Sequence, residues 1–375
     1  MSDFWNTQNI KNCRKVLVIP NVTNSANIEK DSFVDVIYNH IIGLTEHGDY
    51  FWHIVLPKPC AKLNLPYVKQ HIIPFSGDMI NMRVTFPVKL IKLLQTDIYD
   101  VIYSHLPDWF AVARYTDKKI IGYSHWWEMK VCNAEDRKNR YRNIVPELLG
   151  VLKMETCYLN TQDQKNRVLD EAREWFNDEI VERLDFILTV WNLGVNADKI
   201  IDTPSPFNER ENVIVFNHRA AGYKGYPKFY ELMKEYREQR QDFTVWVPQL
   251  QGQSPESWLD NSKVPKHLYY ERLQKCKVGV QMRQTNYGWS VSGTDCMMNG
   301  TPMVFQESLC YREIDPNGSF FKYKKDLFKM LDKMLDSDEY QQLRSFEAIA
   351  RATELSKNEG IMLAELHGKL NYESL

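Results

Sequence analysis

Two positive side chains stand five positions apart in the run NHRAAGYKGYP (Asn217–Pro227): Arg219 and Lys224, on a glycine-containing turn. Arg offers a planar fork of donors and Lys a point charge, a pairing that suits a diphosphate. A solvated basic loop would read the same way. A second constellation is NYGWSVSGTDCMMNGTPMV (Asn286–Val304). Gly288 permits close backbone approach. Ser292 and Asp295, three positions apart, have the spacing of a capping box for a helix starting near Gly293. Such a helix presents its first N–H groups to a phosphate or a sugar oxygen. Asn299-Gly300 closes it, and Thr301–Gln306 is the next strand. An ordinary strand–helix–strand crossover is the plain alternative. Both constellations in one half of the chain favour a nucleotide-diphosphate site.

The first half carries a different set. In GYSHWWEMKV (Gly122–Val131), His125 follows an apolar run. Its imidazole either bonds a sugar or acceptor hydroxyl or caps a sheet. Trp126 and Trp127 are adjacent, so on an extended chain they point opposite ways and at most one faces a ligand. Glu128 is an acceptor-binding carboxylate, a base, or a surface charge. From Lys130 to Arg142, five basic residues (Lys130, Arg137, Lys138, Arg140 and Arg142) outnumber Glu135 and Asp136, with Tyr141 interleaved. Basic and aromatic residues together suit a phosphate backbone and a displaced base. A solvated helical face is the commoner origin of a charge run. The acidic DSD run, Asp336–Asp338, falls between two helical patterns and far from any strand end, so no obligatory metal is expected.

Elements must hold these groups in place. At 375 residues the chain suggests about two domains. Hydrophobic residues at 43% and charged residues at 26% exclude a disordered, collagen-like or coiled-coil chain. A net charge of -2 leaves no global basic field, so a nucleic-acid contact needs a local patch. The seven cysteines are scattered and never spaced CxxC, which argues against a disulfide framework or a zinc site. MSDFWNTQN lacks a basic segment followed by an apolar run, and no apolar stretch approaches the ~18 residues of a membrane span. A soluble, cytoplasmic protein is expected.

Short β-branched runs alternate with helical patterns. Strands are expected at Lys15–Pro20, Tyr50–Pro57, Tyr99–Pro107, Lys118–His125 and Asp185–Val190. A polar linker, Trp191–Asn212, separates them from strands at Glu211–His218, Asp242–Pro248, Lys277–Met282 and Thr301–Gln306. From Lys324 onward the pattern is helical. Alternation of this kind implies α/β layers with parallel sheets, whose ligands sit beyond the carboxyl ends of strands.

The second half resembles the retaining GT-B glycosyltransferases of the family-four type. Arg219, Lys224 and Gly225 align with that family's Arg–Lys motif, and Asn286–Val304 aligns without gaps with its second motif. Tyr287 falls at the family's first Glu, Gly288-Trp289-Ser290 at its glycine-rich turn, Asp295 at its second Glu, and Gly300-Thr301-Pro302 at its terminal motif. The tail FKYKKDLFKMLDKMLDSDEYQQLRSFEAIAR resembles the family's helical ending, and the likeness is best over Val213–Arg351. In the first half only the layout corresponds: DVIYSH and KKIIGYSHWWE sit where the family has two strands ending in His. The loop NVTNSAN lacks the family's paired glycines.

This resemblance implies an α/β GT-B fold, with two Rossmann-like domains facing a cleft. The domains would be 1–200 on the acceptor side, 210–355 on the donor side, and a helix at 356–375 crossing back to the first. It implies a retaining glycosyltransferase with a nucleotide sugar, UDP-linked, as co-substrate. Arg219 and Lys224 would hold the diphosphate, Asp295 the ribose, and Tyr287, Gly288, Trp289, Ser290 and Val291 would line the donor site. His125 would lie near the donor sugar. Trp126, Trp127, Glu128, Lys130, Arg137, Lys138, Arg140 and Arg142 would face the acceptor. The basic-aromatic segment suggests double-stranded DNA bearing 5-hydroxymethyl pyrimidines, by analogy with phage DNA-modifying glycosyltransferases, which would place the protein in a host cytoplasm. Synthesis of a glycan or surface polysaccharide is the alternative acceptor chemistry. A Tyr in place of the first Glu also fits an inactive GT-B binding module.

Overall fold

The computed structural model describes residues 13–371, apart from 23–27, 31, 46–47, 74–87, 97, 112–115, 125–143, 253, 255 and 284–288. The chain divides into two compact units. The first comprises residues 1–160, 165–191 and 360–375; the second comprises 161–164 and 192–359.

The first unit is built on a seven-stranded sheet, β1 (Arg14–Ile19), β2 (Tyr50–Leu56), β3 (Val68–Ile72), β4 (Val101–Ser104), β5 (Lys119–Ser124), β6 (Thr156–Leu159) and β7 (Leu188–Val190). All pairings are parallel, in the order β3-β2-β1-β4-β5-β6-β7. Val16, Leu17, Val18 and Ile19 are fully buried, as expected of a strand covered on both faces. The helix Ser32–Thr45 buries Val34, Ile37, Ile41 and Leu44, which share one face at helical spacing. Residues 360–371 end the long helix Asp338–Asn371 and are tied to this sheet. The bonds are Tyr50 Oη to His367 Nδ1 at 2.6 Å, Arg14 Nε to the Leu370 carbonyl at 2.9 Å and Tyr158 Oη to Glu365 Oε1 at 3.1 Å.

The second unit repeats the plan with six strands: β8 (Glu211–Val215), β9 (Thr244–Trp246), β10 (Leu259–Asp260), β11 (Cys276–Gln281), β12 (Met303–Gln306) and β13 (Ser319–Phe321). Their order is β10-β9-β8-β11-β12-β13, again all parallel. The helix Tyr226–Gln239 buries Phe229, Met233 and Tyr236, and Lys324–Asp336 buries Leu327, Leu331 and Met334. These side chains pack with Ile214, Val245, Val278 and Val280 of the sheet into one core. Each such side chain contributes about 1.5–3 kcal/mol of burial.

In both sheets the strand order reverses beside the first strand of the unit, between β1 and β4 and between β8 and β11. Such reversals open a crevice beyond the carboxyl ends, where ligands of α/β sheets bind. Several expected boundaries shift. Only Leu188–Val190 of the expected strand Asp185–Val190 is extended, because the helix Asp178–Ile187 occupies the rest. The helix after β11 spans Val291–Met298, so it begins two residues before the expected start. Its cap is Ser290, whose Oγ accepts the Gly293 N–H at 3.1 Å; Ser292 lies inside the first turn.

Candidate functional site

The site grows from the ends of β8 and β11, the two strands that flank the reversal in the second sheet. After β8 come Phe216, Asn217 and His218, all buried, and then Arg219, which is exposed. A single 3-10 turn, Gly222–Lys224, leads to Gly225 at φ +75° and into the helix Tyr226–Gln239, with Pro227 in its first turn. The left-handed backbone at Gly225 is one reason for glycine there. The other is contact: a Cβ would stand 2.5 Å from Met282 Cβ, just beyond the end of β11. The two loops therefore meet at this point.

Lys224 is half-buried. Burial, and secondarily the charge of Arg219, push its ammonium down to about 8; Cys310 acts in the opposite direction. A cation that is depressed by a second cation is one that a bound anion restores. The pair thus has the electrostatics of an anion site as well as the residue types.

Opposite it, Ser290 caps the helix Val291–Met298 and directs the first-turn N–H dipoles outward from the end of β11. Val291 is 43% exposed at this end, while Trp289 is buried. Asp295 lies one turn further along, half-buried. Burial, then the Asp295 charge, raises the hydroxyls of both Tyr269 and Tyr270, the latter to about 12. Asp295 therefore lies close to the helix Lys266–Lys275, which carries both tyrosines.

Polar side chains join the two loops from below. Asn217 Nδ2 donates to the Ser292 carbonyl at 2.7 Å and to Tyr269 Oη at 2.9 Å. Gln281, at the end of β11, donates to Asn217 Oδ1 at 3.3 Å and accepts from Ser290 Oγ at 3.0 Å. His218 lies between Ser290 Oγ at 3.1 Å and Ser292 Oγ at 2.6 Å. Its imidazole is held well below the usual histidine range by burial and by Lys224.

The corresponding reversal in the first sheet is furnished differently. His105 follows β4, and its N–H donates to the Ile19 carbonyl at 2.8 Å. Its ring lies 5.1 Å from Tyr103 and 5.2 Å from Tyr123. His40 stacks on Trp191 at 4.6 Å, and its Nδ1 bonds Tyr103 Oη at 2.9 Å. Burial lowers His40 to about 3.

Of the residues singled out in the sequence, Arg219, Lys224, Trp289, Ser290, Val291 and Asp295 all fall on the loops and helix beyond β8 and β11. Tyr287 and Gly288 lie outside the described residues. So do His125, Trp126, Trp127, Glu128, Lys130, Arg137, Lys138, Arg140 and Arg142. Asp336 pairs with Arg240 at 2.7 Å, and no metal-ligating group of three or more is found among the described residues. Asn217, His218, Gln281 and Tyr269 were not anticipated. Their signal was the polar pair Asn217-His218 directly after the apolar run VIVF.

No protein-family model matches this chain, and no curated protein matches it in sequence. Solved structures do resemble it. Sucrose-phosphate synthase from Thermosynechococcus elongatus superposes with a TM-score of 0.71 at 11% identity, over 96% of this chain and 99% of that one. HepE of Anabaena, in complex with UDP and glucose, gives 0.64 at 12% identity, over 94% and 99%. The trehalose-6-phosphate synthase OtsA gives 0.64 at 13% identity, over 96% and 99%. The fold is GT-B. The likeness spans nearly the whole of each chain, so both sheets of this GT-B protein belong to it. Among the described residues no helix is long and apolar enough to cross a membrane.

Proposed function

We propose that this GT-B chain transfers a glycosyl group from a nucleotide sugar, UDP-linked, to a hydroxyl acceptor with retention. One observation carries the reading. Arg219 and Lys224 stand at the end of β8, and the capped N-terminus of Val291–Met298 stands at the end of β11, on the two sides of the strand-order reversal. In this reading the two cations and the helix N–H groups hold the donor diphosphate. They stabilise it as charge develops on the leaving group, which is where such groups act most. They supply the positive charge themselves, so no metal is required. Asp295 holds the ribose. The departing phosphate takes the acceptor proton, and no protein nucleophile is assigned. Residues 210–355 form the donor domain and 1–200 the acceptor domain, with 356–375 returning to the latter.

UDP as the nucleotide is supported by the UDP bound in the similar HepE structure. Two acceptor classes follow from different observations. The basic-aromatic segment Lys130–Arg142 supports a hydroxymethylated pyrimidine in DNA. The names of the similar synthases, which make sucrose phosphate and trehalose 6-phosphate, support a small sugar or sugar phosphate. The second is favoured, because it draws on chains similar along their whole length rather than on one charge run.

The test is UDP release and product mass spectrometry, with a panel of UDP-sugars against sugar phosphates, free sugars and hydroxymethylcytosine DNA. Product with a sugar acceptor supports the favoured reading, and glycosylated DNA supports the other. UDP binding without turnover on any acceptor identifies a binding module. Absence of UDP binding overturns the donor site.

A further inference from the structure

Asn217 and His218 stand between β8 and Arg219, and the diphosphate contacts proposed above use neither. Both are buried, at 5% and 7% exposure. Hydrogen-bond directions through them follow one from another. Ser290 has a single proton, and Gln281 Oε1 accepts it at 3.0 Å. Ser290 Oγ also accepts the Gly293 N–H at 3.1 Å. Toward His218 Nε2, at 3.1 Å, it therefore acts as an acceptor, which puts the ring proton on Nε2. Nδ1 is then a lone pair, and Ser292 Oγ–H donates to it at 2.6 Å. Asn217 completes the circuit by donating to the Ser292 carbonyl and accepting from Gln281. One imidazole thus grips both serines of the helix N-terminus.

We propose that His218, as its neutral Nε2–H tautomer, is a positioning residue that clamps the Arg219-bearing loop onto the capped N-terminus of the helix Val291–Met298. The proposal rests on the donor-site reading above. His218 and Arg219 are consecutive, so their Cα atoms are ~3.8 Å apart and the ring fixes where the Arg219 side chain starts. The clamp sets the spacing between the cations and the helix N–H groups before a diphosphate arrives. A loop ordered in advance need not be ordered on binding, and that saving appears as affinity.

The experiment is calorimetric titration of UDP into the full chain and its variants, with donor KM, acceptor KM and melting temperature recorded for each. His218→Ala and Ser292→Ala are each expected to weaken UDP about tenfold, the loss of one buried polar contact worth ~1.4 kcal/mol. The double variant is expected to be little worse than His218→Ala, because that change already removes the bond to Ser292. His218→Asn keeps a carbonyl acceptor for Ser292 and is expected to lose less than His218→Ala. Donor KM rises in step with the UDP dissociation constant, and acceptor KM stays put. Should His218→Ala fail to fold, Ser292→Ala and His218→Asn carry the test. Wild-type UDP affinity in Ser292→Ala, or fully additive losses in the double variant, overturns the clamp while leaving the donor site standing, provided Arg219→Ala has lost UDP. Unchanged UDP binding in Arg219→Ala overturns the donor site and the clamp together.

Discussion

The two sheets share one strand order and one place of reversal, yet they fill that place with opposite chemistry. Beside β1 and β4 stand rings: His40, Tyr103, His105, Tyr123 and Trp191, packed edge-to-face, stacked or tilted on one another. Beside β8 and β11 stand amides, hydroxyls, one buried imidazole and two cations. The topology supplies a crevice in both. The side chains decide whether it serves stability or ligand contact. The described part of the first crevice is read as packing, and the second as a wired anion site.

Breaking the first without the second is the largest effect expected. Trp191 is fully buried, stacked on His40 and perpendicular to Tyr123 and Tyr158. Trp191→Ala should destabilise the chain by about 3–5 kcal/mol, the range for truncating a buried aromatic ring. Urea unfolding measures it. UDP affinity below the transition should stay within about twofold of wild type.

The converse variant is Arg219→Ala. An exposed guanidinium contributes little to the fold, so the melting temperature should barely move. UDP affinity should fall by about 30-fold or more, equivalent to ~2 kcal/mol for charge-assisted contacts. An Arg219→Ala protein that melts early and still binds UDP would reverse the assignment of the two crevices.

Much of this contrast was legible in the sequence, and unevenly so. Eight strands were expected at nearly their observed places, because runs such as VLVI and VGV are too short and too β-branched for helices. Four strands were missed: β6 (TCYL) has only four residues, too few to stand out as a strand, and the other three had no such signal. β3 (VKQHI) is a polar edge strand, and β10 and β13 have two and three residues, too few for any periodicity. The run ILTV was split between a helix and β7, since an apolar run alone does not distinguish the two, although Asn177 caps that helix. The Arg219–Lys224 pair was legible from residue type and spacing. The Asn217–His218–Gln281 network was not, because it joins side chains from β8 and β11, 64 positions apart in the chain. The cap was placed on Ser292 because Ser292-Asp295 has capping-box spacing, whereas the bond that makes the cap runs from the Gly293 N–H to Ser290 Oγ.

One ring of the first crevice also titrates. His40 is lowered to about 3, and burial is the cause, so the folded state holds it neutral. Its unfolded value is about 6.5. Between those limits the unfolded chain binds the extra proton, and stability falls as pH falls below about 6.5. The slope for this one group approaches ~1.4 kcal/mol per pH unit near pH 5. His53, lowered to about 4, and His218 act in the same direction, so the wild-type curve is steeper still. His40→Asn keeps a carbonyl to accept from Tyr103. It should cost stability at pH 7 and lose less of what remains at pH 5, a difference that urea unfolding at the two values measures.

The second crevice titrates at the other end of the scale. Lys224 is lowered to about 8 by burial and Arg219. Above that pH the free protein sheds the proton that a diphosphate needs, and binding must take it up again. UDP affinity should therefore hold from pH 6.5 to 7.5 and decline beyond 8, approaching about tenfold per unit once Lys224 is largely neutral. A proton uptake that grows from zero toward one across this range would appear in calorimetry run in buffers of different ionisation enthalpy. Lys224→Arg keeps its charge at every pH tested, so its affinity should not decline. A wild-type curve flat from pH 7 to 9.5 would mean that Lys224 is not at the diphosphate. The anion site would then rest on Arg219 and the helix N-terminus alone.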